Sequence, residues 1–364
     1  MRGIKWSRFL GAFLALSLLA GACGSDDDTS SGSAAAGGEL TDVQLTLQWV
    51  TQAQFAGYYA ALDQGFYEDE GLNVSIQAGG PDINGTQLLI SGDTDIAIRQ
   101  FGDVLSARDA GAEVISIGQT FERGAYRLAY FDDAGISGAA DFEGKVIGLW
   151  GGFRPQASAT FGKLGLNIEN DAEVFNQGFD MVAFLDRTLD VASAMTYNEY
   201  AQALAGNTSD ADVVLFNPND EGTATLEDTI ATTKTWLAEN PDAAESFLRG
   251  TARGWIYCRD NAEACIDIVL ANGTALPRDF QTWQMNEVNK LIWPSENGIL
   301  NLTDGMFDQT ADILFEYGVI NTAATSDAFD MSARANAVDG LSDDDIFGNN
   351  FKPLDLDPNE LFGG

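Results

Sequence analysis

From Leu40 onward the apolar residues switch repeatedly between period two and helical spacing, and this alternation constrains the fold more than any other feature. Val43, Leu45, Leu47 and Trp49 alternate as a strand, then Phe55, Tyr58, Tyr59, Leu62 and Phe66 recur at helical spacing. Gly71 closes that helical stretch, and Leu72, Val74 and Ile76 make a second strand. Buried strands are expected at 96–98 and 114–118, separated by helical segments around Leu88 and Leu105. Strands alternating with helices imply an α/β architecture, a mostly parallel sheet covered on both faces.

A second α/β series starts after Phe131. Strands are expected at 145–150, 173–175, 191–195 and 213–216, with helices at 156–164 and 197–204, and 228–233 carries the chain back to the first series. From there to about residue 320 the pattern is helical. Asn240 and Pro241 read as cap and first-turn proline of a helix through 243–257, and further helices cover 262–270, 280–291 and 306–317. The tail beyond Asn321, rich in Asp, Asn and Gly, reads as partly ordered or disordered.

Composition removes whole classes of function. With 364 residues the length suits about two domains. Lys+Arg number 19 against Asp+Glu 55, a net charge of -36 that opposes nucleic acid and anionic lipid. There is no histidine, so imidazole triads, histidine-bearing zinc sites and imidazole acid-base chemistry lack their central group. Catalysis by carboxylates or lysine survives. The acidity itself reads as a solvated, self-repelling surface that keeps an exported chain soluble.

The start of the chain reads as an address. Arg2, Lys5 and Arg8 lead into an apolar run at 9–22, too short to span a bilayer and of signal-peptide proportions. LLAGAC, ending at Cys23, resembles the bacterial lipobox, in which the cysteine is acylated; an ordinary signal peptide is the alternative. Residues 1–22 are thus a signal peptide and 23–39 a flexible, lipid-anchored tether. Cys258 and Cys265 could not bond on one continuous helix, but a break at Asp260 and Asn261, with Asn261 capping the next helix, would bring them into disulfide reach. A disulfide is favoured over a metal role.

LQWVTQAQFAGYYAALDQGFYEDEGLNV resembles the opening of the NMT1/THI5-like family of substrate-binding proteins, which also includes taurine and sulfonate binders. The likeness continues through SGDTDIAI, DFEGKVIGLWGG, NQGFDM, AMTYNEYAQAL, RGWIYCRDN and EVNKLIWPSENGI, spanning residues 40–320. It implies a two-lobed, type II periplasmic-binding-protein fold. Lobe 1 would take 40–131 and 228–320, lobe 2 132–227, and an acidic tail 321–364, with two hinge crossings. It further implies a monomeric, extracytoplasmic receptor without cofactor, at the outer face of the cytoplasmic membrane or in the periplasm. Its partners would be an ABC permease and its ATPase. The later segments are similar to a branch linked to thiamine-pyrimidine precursors or riboflavin. The family also contains a pyrimidine synthase, which consumes its own histidine and uses lysine-bound pyridoxal phosphate with a cysteine-rich iron motif. This sequence has no histidine, places Arg99 near the expected lysine, and has no cysteine at 222–228.

Ligands of open α/β sheets sit at the carboxyl ends of strands. Trp49 ends the first strand, Phe101 follows 96–98, and Trp150 with Gly151 and Gly152 ends another, so rings from two lobes could cover both faces of a flat heterocycle. Core packing is the alternative for any one aromatic, and Trp236, Trp255 and Trp283 are read that way. Candidates for the polar edges are Tyr197, Asn198 and Glu199 at a helix start, then Gln177, Phe179 and Asp180, then Gln54 and Tyr58. Glu199 could equally serve as a helix stabiliser. Arg99 could hold an anionic group or pair with Asp95 or Asp103. The pairs Gly79, Gly80 and Gly151, Gly152 lack nucleotide-loop spacing, and no calcium or zinc spacing is present.

Overall fold

The structure, a computed structural model, describes residues 40–273 and 277–362. The expected signal peptide, Cys23 and the tether to residue 39 lie outside the described residues. One sheet holds β1 (Thr41–Thr46), β2 (Leu72–Gln77), β3 (Ile96–Arg99), β4 (Val114–Gln119) and β10 (Thr229–Thr233), in the order β2-β1-β3-β10-β4. The other holds β5 (Tyr126–Phe131), β6 (Val146–Leu149), β7 (Glu173–Asn176), β8 (Val191–Met195) and β9 (Val213–Phe216), in the order β7-β6-β8-β5-β9. β4 and β8 are buried along their whole length, whereas the edge strand β2 buries Leu72 and Val74 and turns Asn73 and Ser75 outward.

Each sheet contains one reversed strand. β10 is antiparallel to β3 and β4, and β5 is antiparallel to β8 and β9, while the other pairs are parallel. In both cases the reversed strand is the first one laid down after the chain crosses from the opposite sheet. The first crossing therefore lies in residues 120–125, and β5, assigned by the sequence to the end of lobe 1, belongs to the second sheet. Its six residues, flanked on both sides by antiparallel partners, are too uniformly buried to show an alternation.

The two crossings are tied to each other. Glu227 on the second accepts the backbone N–H groups of Ala125 and Tyr126 on the first, each at 3.0 Å. Asn219 exchanges hydrogen bonds with both the N–H and the carbonyl of Gly124, each at 2.9 Å. Buried N–H groups at a chain crossing have no ladder partner, so side chains supply the acceptors.

The helical return of the chain packs on the first sheet. Helix Pro241–Asp260 crosses helix Ala56–Asp63 closely, because Gly57 faces the Trp255 ring and Gly254 faces the Gly57 carbonyl, with no room for a Cβ at either. Trp255 is fully buried, and Trp236 and Trp283 also join the packing. The helix breaks at Asn261 before helix Ala262–Ala271, which brings the Cα atoms of Cys258 and Cys265 to 5.4 Å, and the two are joined in a disulfide. The Asn261 side chain donates to the Tyr257 carbonyl, so it closes the first helix rather than capping the second.

The tail is described to residue 362 and is built into the fold more fully than its composition suggests. It forms helices Ser332–Ala337, Asp343–Phe347 and Pro358–Phe362. Ile346 and Phe351 pack against the core, and the Phe347 and Ile346 carbonyls accept from Ser295 and Ile299. Further on, Asn286 on helix Arg278–Ile292 pairs with both backbone groups of Leu354, and the Phe362 ring lies 4.8 Å from Phe280 and 5.9 Å from Trp283. The last helix also packs on helix Glu199–Gly206 of the second lobe, so the tail straps one lobe to the other. Scattered apolar residues too sparse to show a period are enough, because each lands on an existing core.

Candidate functional site

The carboxyl ends of both sheets converge on a cavity of about 240 Å³. After β1 come Gln48, Trp49, Gln52 and Gln54; after β3, Gln100; after β6, Trp150, Gly151, Gly152 and Phe153; after β7, Phe179; and at the end of β8, Met195, Tyr197, Asn198 and Glu199. This is where open α/β folds place ligands. A larger hollow of about 730 Å³ lies between the tail and helix Pro241–Asp260. It is lined by Asp242, Glu245, Asp330 and the Lys234–Asp327 ion pair, has no facing aromatic pair, and shares no residue with the strand-end cavity.

The apolar wall crosses the lobes. Trp49 of the first lobe and Phe179 of the second have ring centroids 4.8 Å apart, and Phe179 sits 6.1 Å from Trp150 at an interplanar angle of 33°. The Trp150 indole donates to the Gly178 carbonyl at 2.9 Å, fixing the indole and the loop that carries Phe179. Behind it Phe153 stacks on Tyr126 at 4.6 Å. Trp150 and Phe153 are buried, whereas Phe179 is 53% exposed and Trp49 half-buried. Gly151 and Gly152 line the cavity with bare backbone, and a Cβ at either would touch nothing.

The polar wall is built from amides and buried carboxyls. Glu199, the first residue of its helix, accepts from the Met195 N–H at 3.1 Å and from the Asn198 amide at 2.8 Å. Burial outweighs these bonds and pushes its carboxyl up to about 7. Beneath Gln54, Asp228 is raised to about 8, first by burial and further by Glu227, against the opposing Gln54 hydrogen bond and the more distant Arg99. Burial likewise raises Glu227 to about 7 despite its two N–H donors. Tyr197, desolvated and facing all three carboxyls, keeps its phenol protonated far above the usual range.

Nine of the residues singled out in the sequence thus meet here: Trp49, Gln54, Trp150, Gly151, Gly152, Phe179, Tyr197, Asn198 and Glu199. Five do not. Tyr58 is core, its hydroxyl on Thr120 and its ring edge-on to Trp255. Phe101 is fully buried against Phe307. Arg99 is paired with Asp103, the alternative role foreseen for it. Gln177 spans from its strand end to both backbone groups of Ser193, at 2.7 and 2.8 Å, and Asp180 caps the N–H of Val182. The sequence missed Gln48, Gln52, Gln100, Phe153 and Met195. Gln100 lies between Arg99 and Phe101, both of which the sequence singles out; only the register of the strand end separates them. Among the described residues no three Cys, Asp or Glu side chains are grouped to hold a metal ion.

The NMT1/THI5-like family profile matches residues 52–264, more than half of the chain. The chain belongs to the NMT1/THI5-like family. Its similar proteins include a formylaminopyrimidine-binding protein of Halalkalibacterium halodurans, 22% identical over 64% of this chain and 71% of that one. The riboflavin-binding protein RibY of Chloroflexus aurantiacus is 27% identical over 70% of this chain and 74% of that one. A 4-amino-5-hydroxymethyl-2-methylpyrimidine phosphate synthase of Candida albicans is 25% identical over 59% and 66%. The fold matches that of the aliphatic sulphonate binding protein SsuA of Escherichia coli, with a TM-score of 0.65 over 87% of this chain and 94% of that one at 15% identity. By family the chain stands beside proteins named for binding formylaminopyrimidine and riboflavin, and by fold beside a periplasmic sulphonate binding protein.

Proposed function

We propose that the protein is the exported, lipid-anchored receptor of an ABC importer, and that its cavity takes one flat, amino-bearing heterocycle, a thiamine pyrimidine precursor. The observation that carries this reading is the pairing of aromatic rings from both lobes with the buried carboxyl of Glu199 in one cavity. The touching rings form a wall on which a planar solute can stack, and a carboxyl offers an edge complementary to an amino group beside a ring nitrogen. A volume of about 240 Å³ suits a single substituted ring and falls below the range of roughly 300–1,000 Å³ typical of drug-sized ligands.

Riboflavin is the second reading, favoured by the 27% identity to a riboflavin-binding relative. Its three fused rings and side chain would require the lobes to stand further apart than they do here. A sulfonate has less support, because the cavity lining contains no lysine or arginine and Arg99 is engaged with Asp103. The synthase chemistry lacks its histidine. Calorimetric titration of the mature chain with an aminopyrimidine, riboflavin and an alkanesulfonate tests the choice. Saturable heat with the aminopyrimidine alone is expected, and tighter binding of either competitor overturns the assignment.

A further inference from the structure

A primary amide has two N–H donors and one carbonyl, so a chain of amides ending on carboxyl acceptors can be oriented along its length. Such a chain runs across this molecule. Both Asp228 oxygens accept from Gln54 Nε2, at 3.0 and 2.8 Å, and Gln54 Oε1 accepts from Gln52 Nε2 at 2.7 Å. Gln52 Oε1 accepts from Gln284 Nε2 at 3.3 Å. The same Gln284 nitrogen donates to Asn198 Oδ1 at 3.3 Å, and Asn198 Nδ2 donates to Glu199 Oε1 at 2.8 Å.

Gln284 is the turning point. It is fully buried on helix Arg278–Ile292, whose preceding turn also holds the first lobe, since Gln281 Oε1 accepts from the Ala53 N–H at 2.7 Å. Both bonds of its amide nitrogen lead to cavity-lining residues, Gln52 on one lobe and Asn198 on the other. Its own Oε1 is buried with no partner. An orphaned acceptor is a net cost that an apolar side chain of the same size would avoid.

We propose that Gln284 is a positioning residue for the cavity: its two donors set the amides of Gln52 and Asn198 together, so the polar face offered to a ligand is complete only when the lobes are closed. The proposal rests on reading the cavity as the ligand site. It goes further in assigning the coupling between lobes to a side chain that does not line the cavity.

The test compares the wild-type chain with Gln284→Met, Asn198→Ala and the double variant. Two readouts are taken: dissociation of 4-amino-5-hydroxymethyl-2-methylpyrimidine by stopped flow, and the ligand-free radius of gyration by small-angle scattering. Losing both donors should speed dissociation about tenfold with little change in association. The double variant should be no worse than the weaker single one, and ligand-free Gln284→Met should scatter as a more open particle. Gln284→Leu, which likewise removes both donors, should behave the same way and serves if Gln284→Met does not fold. Additive effects of the two sites, or unchanged dissociation and scattering, overturn the proposal. If the pyrimidine fails to bind the wild type, the ligand assignment falls, and the scattering comparison alone then decides the role of Gln284.

Discussion

Trp49 and Trp150 follow equivalent strands, β1 and β6, yet their surroundings differ. Trp150 is buried against Tyr126 and Phe153, so Trp150→Ala removes core as well as cavity wall and should cost about 3 kcal/mol in chemical denaturation. Trp49 is half-buried and meets Phe179 across the cleft, so Trp49→Ala should abolish the ligand-induced thermal shift while lowering the ligand-free midpoint much less. Equal destabilisation by the two would contradict this division. Glu227 gives a second prediction at this scale. Its carboxyl lies near 7 when folded against an ordinary 4.5, so the native state holds a proton that the unfolded chain releases first. The contribution of Glu227 to stability is then fully present below about 4.5 and is lost as pH rises through about 7. Glu199 and Asp228 act in the same direction. Glu227→Gln should lower the thermal midpoint at about pH 5, because one of the two N–H groups loses its acceptor, and make its fall toward about pH 8 shallower. The strand-end rule brought Trp49 and Trp150 to the cavity but also picked out Phe101, which is core. The choice of Gln100 over Arg99 and Phe101 was not legible in the sequence, since one residue of register decides which side chain points to the cavity.

At the scale of elements, helical periodicity revealed the helices because each has one face to bury, and short apolar runs revealed central strands such as β4 and β8, which bury both faces. β5 was placed in the wrong lobe because a central strand with antiparallel partners on both sides shows only a run of buried residues. The tail misled for the opposite reason: its composition is that of a disordered segment, but Ile346, Phe351 and Phe362 each find a surface already built. The strap that results can be tested by ending the chain at Lys352. That removes the Leu354 backbone from the buried Asn286 amide and the Phe362 ring from Trp283. A loss of about 2 kcal/mol in urea denaturation is expected. An unchanged transition would show that the strap carries no weight.

At the scale of the whole molecule, the two sheets share one strand order but not one history. The second sheet draws all five strands from a continuous stretch, β5 to β9. The first has a gap between β3 and β4 that only β10 fills, and β10 follows the entire second lobe in the sequence. A fragment covering 124–218 should therefore give a cooperative thermal transition by circular dichroism, whereas 40–122 should not; a folded 40–122 fragment would refute the argument. For a polypeptide threaded through a membrane from its amino end, the middle of the molecule would mature first. The leading third must wait, half-assembled, until nearly two-thirds of the protein has emerged to hand back the missing piece.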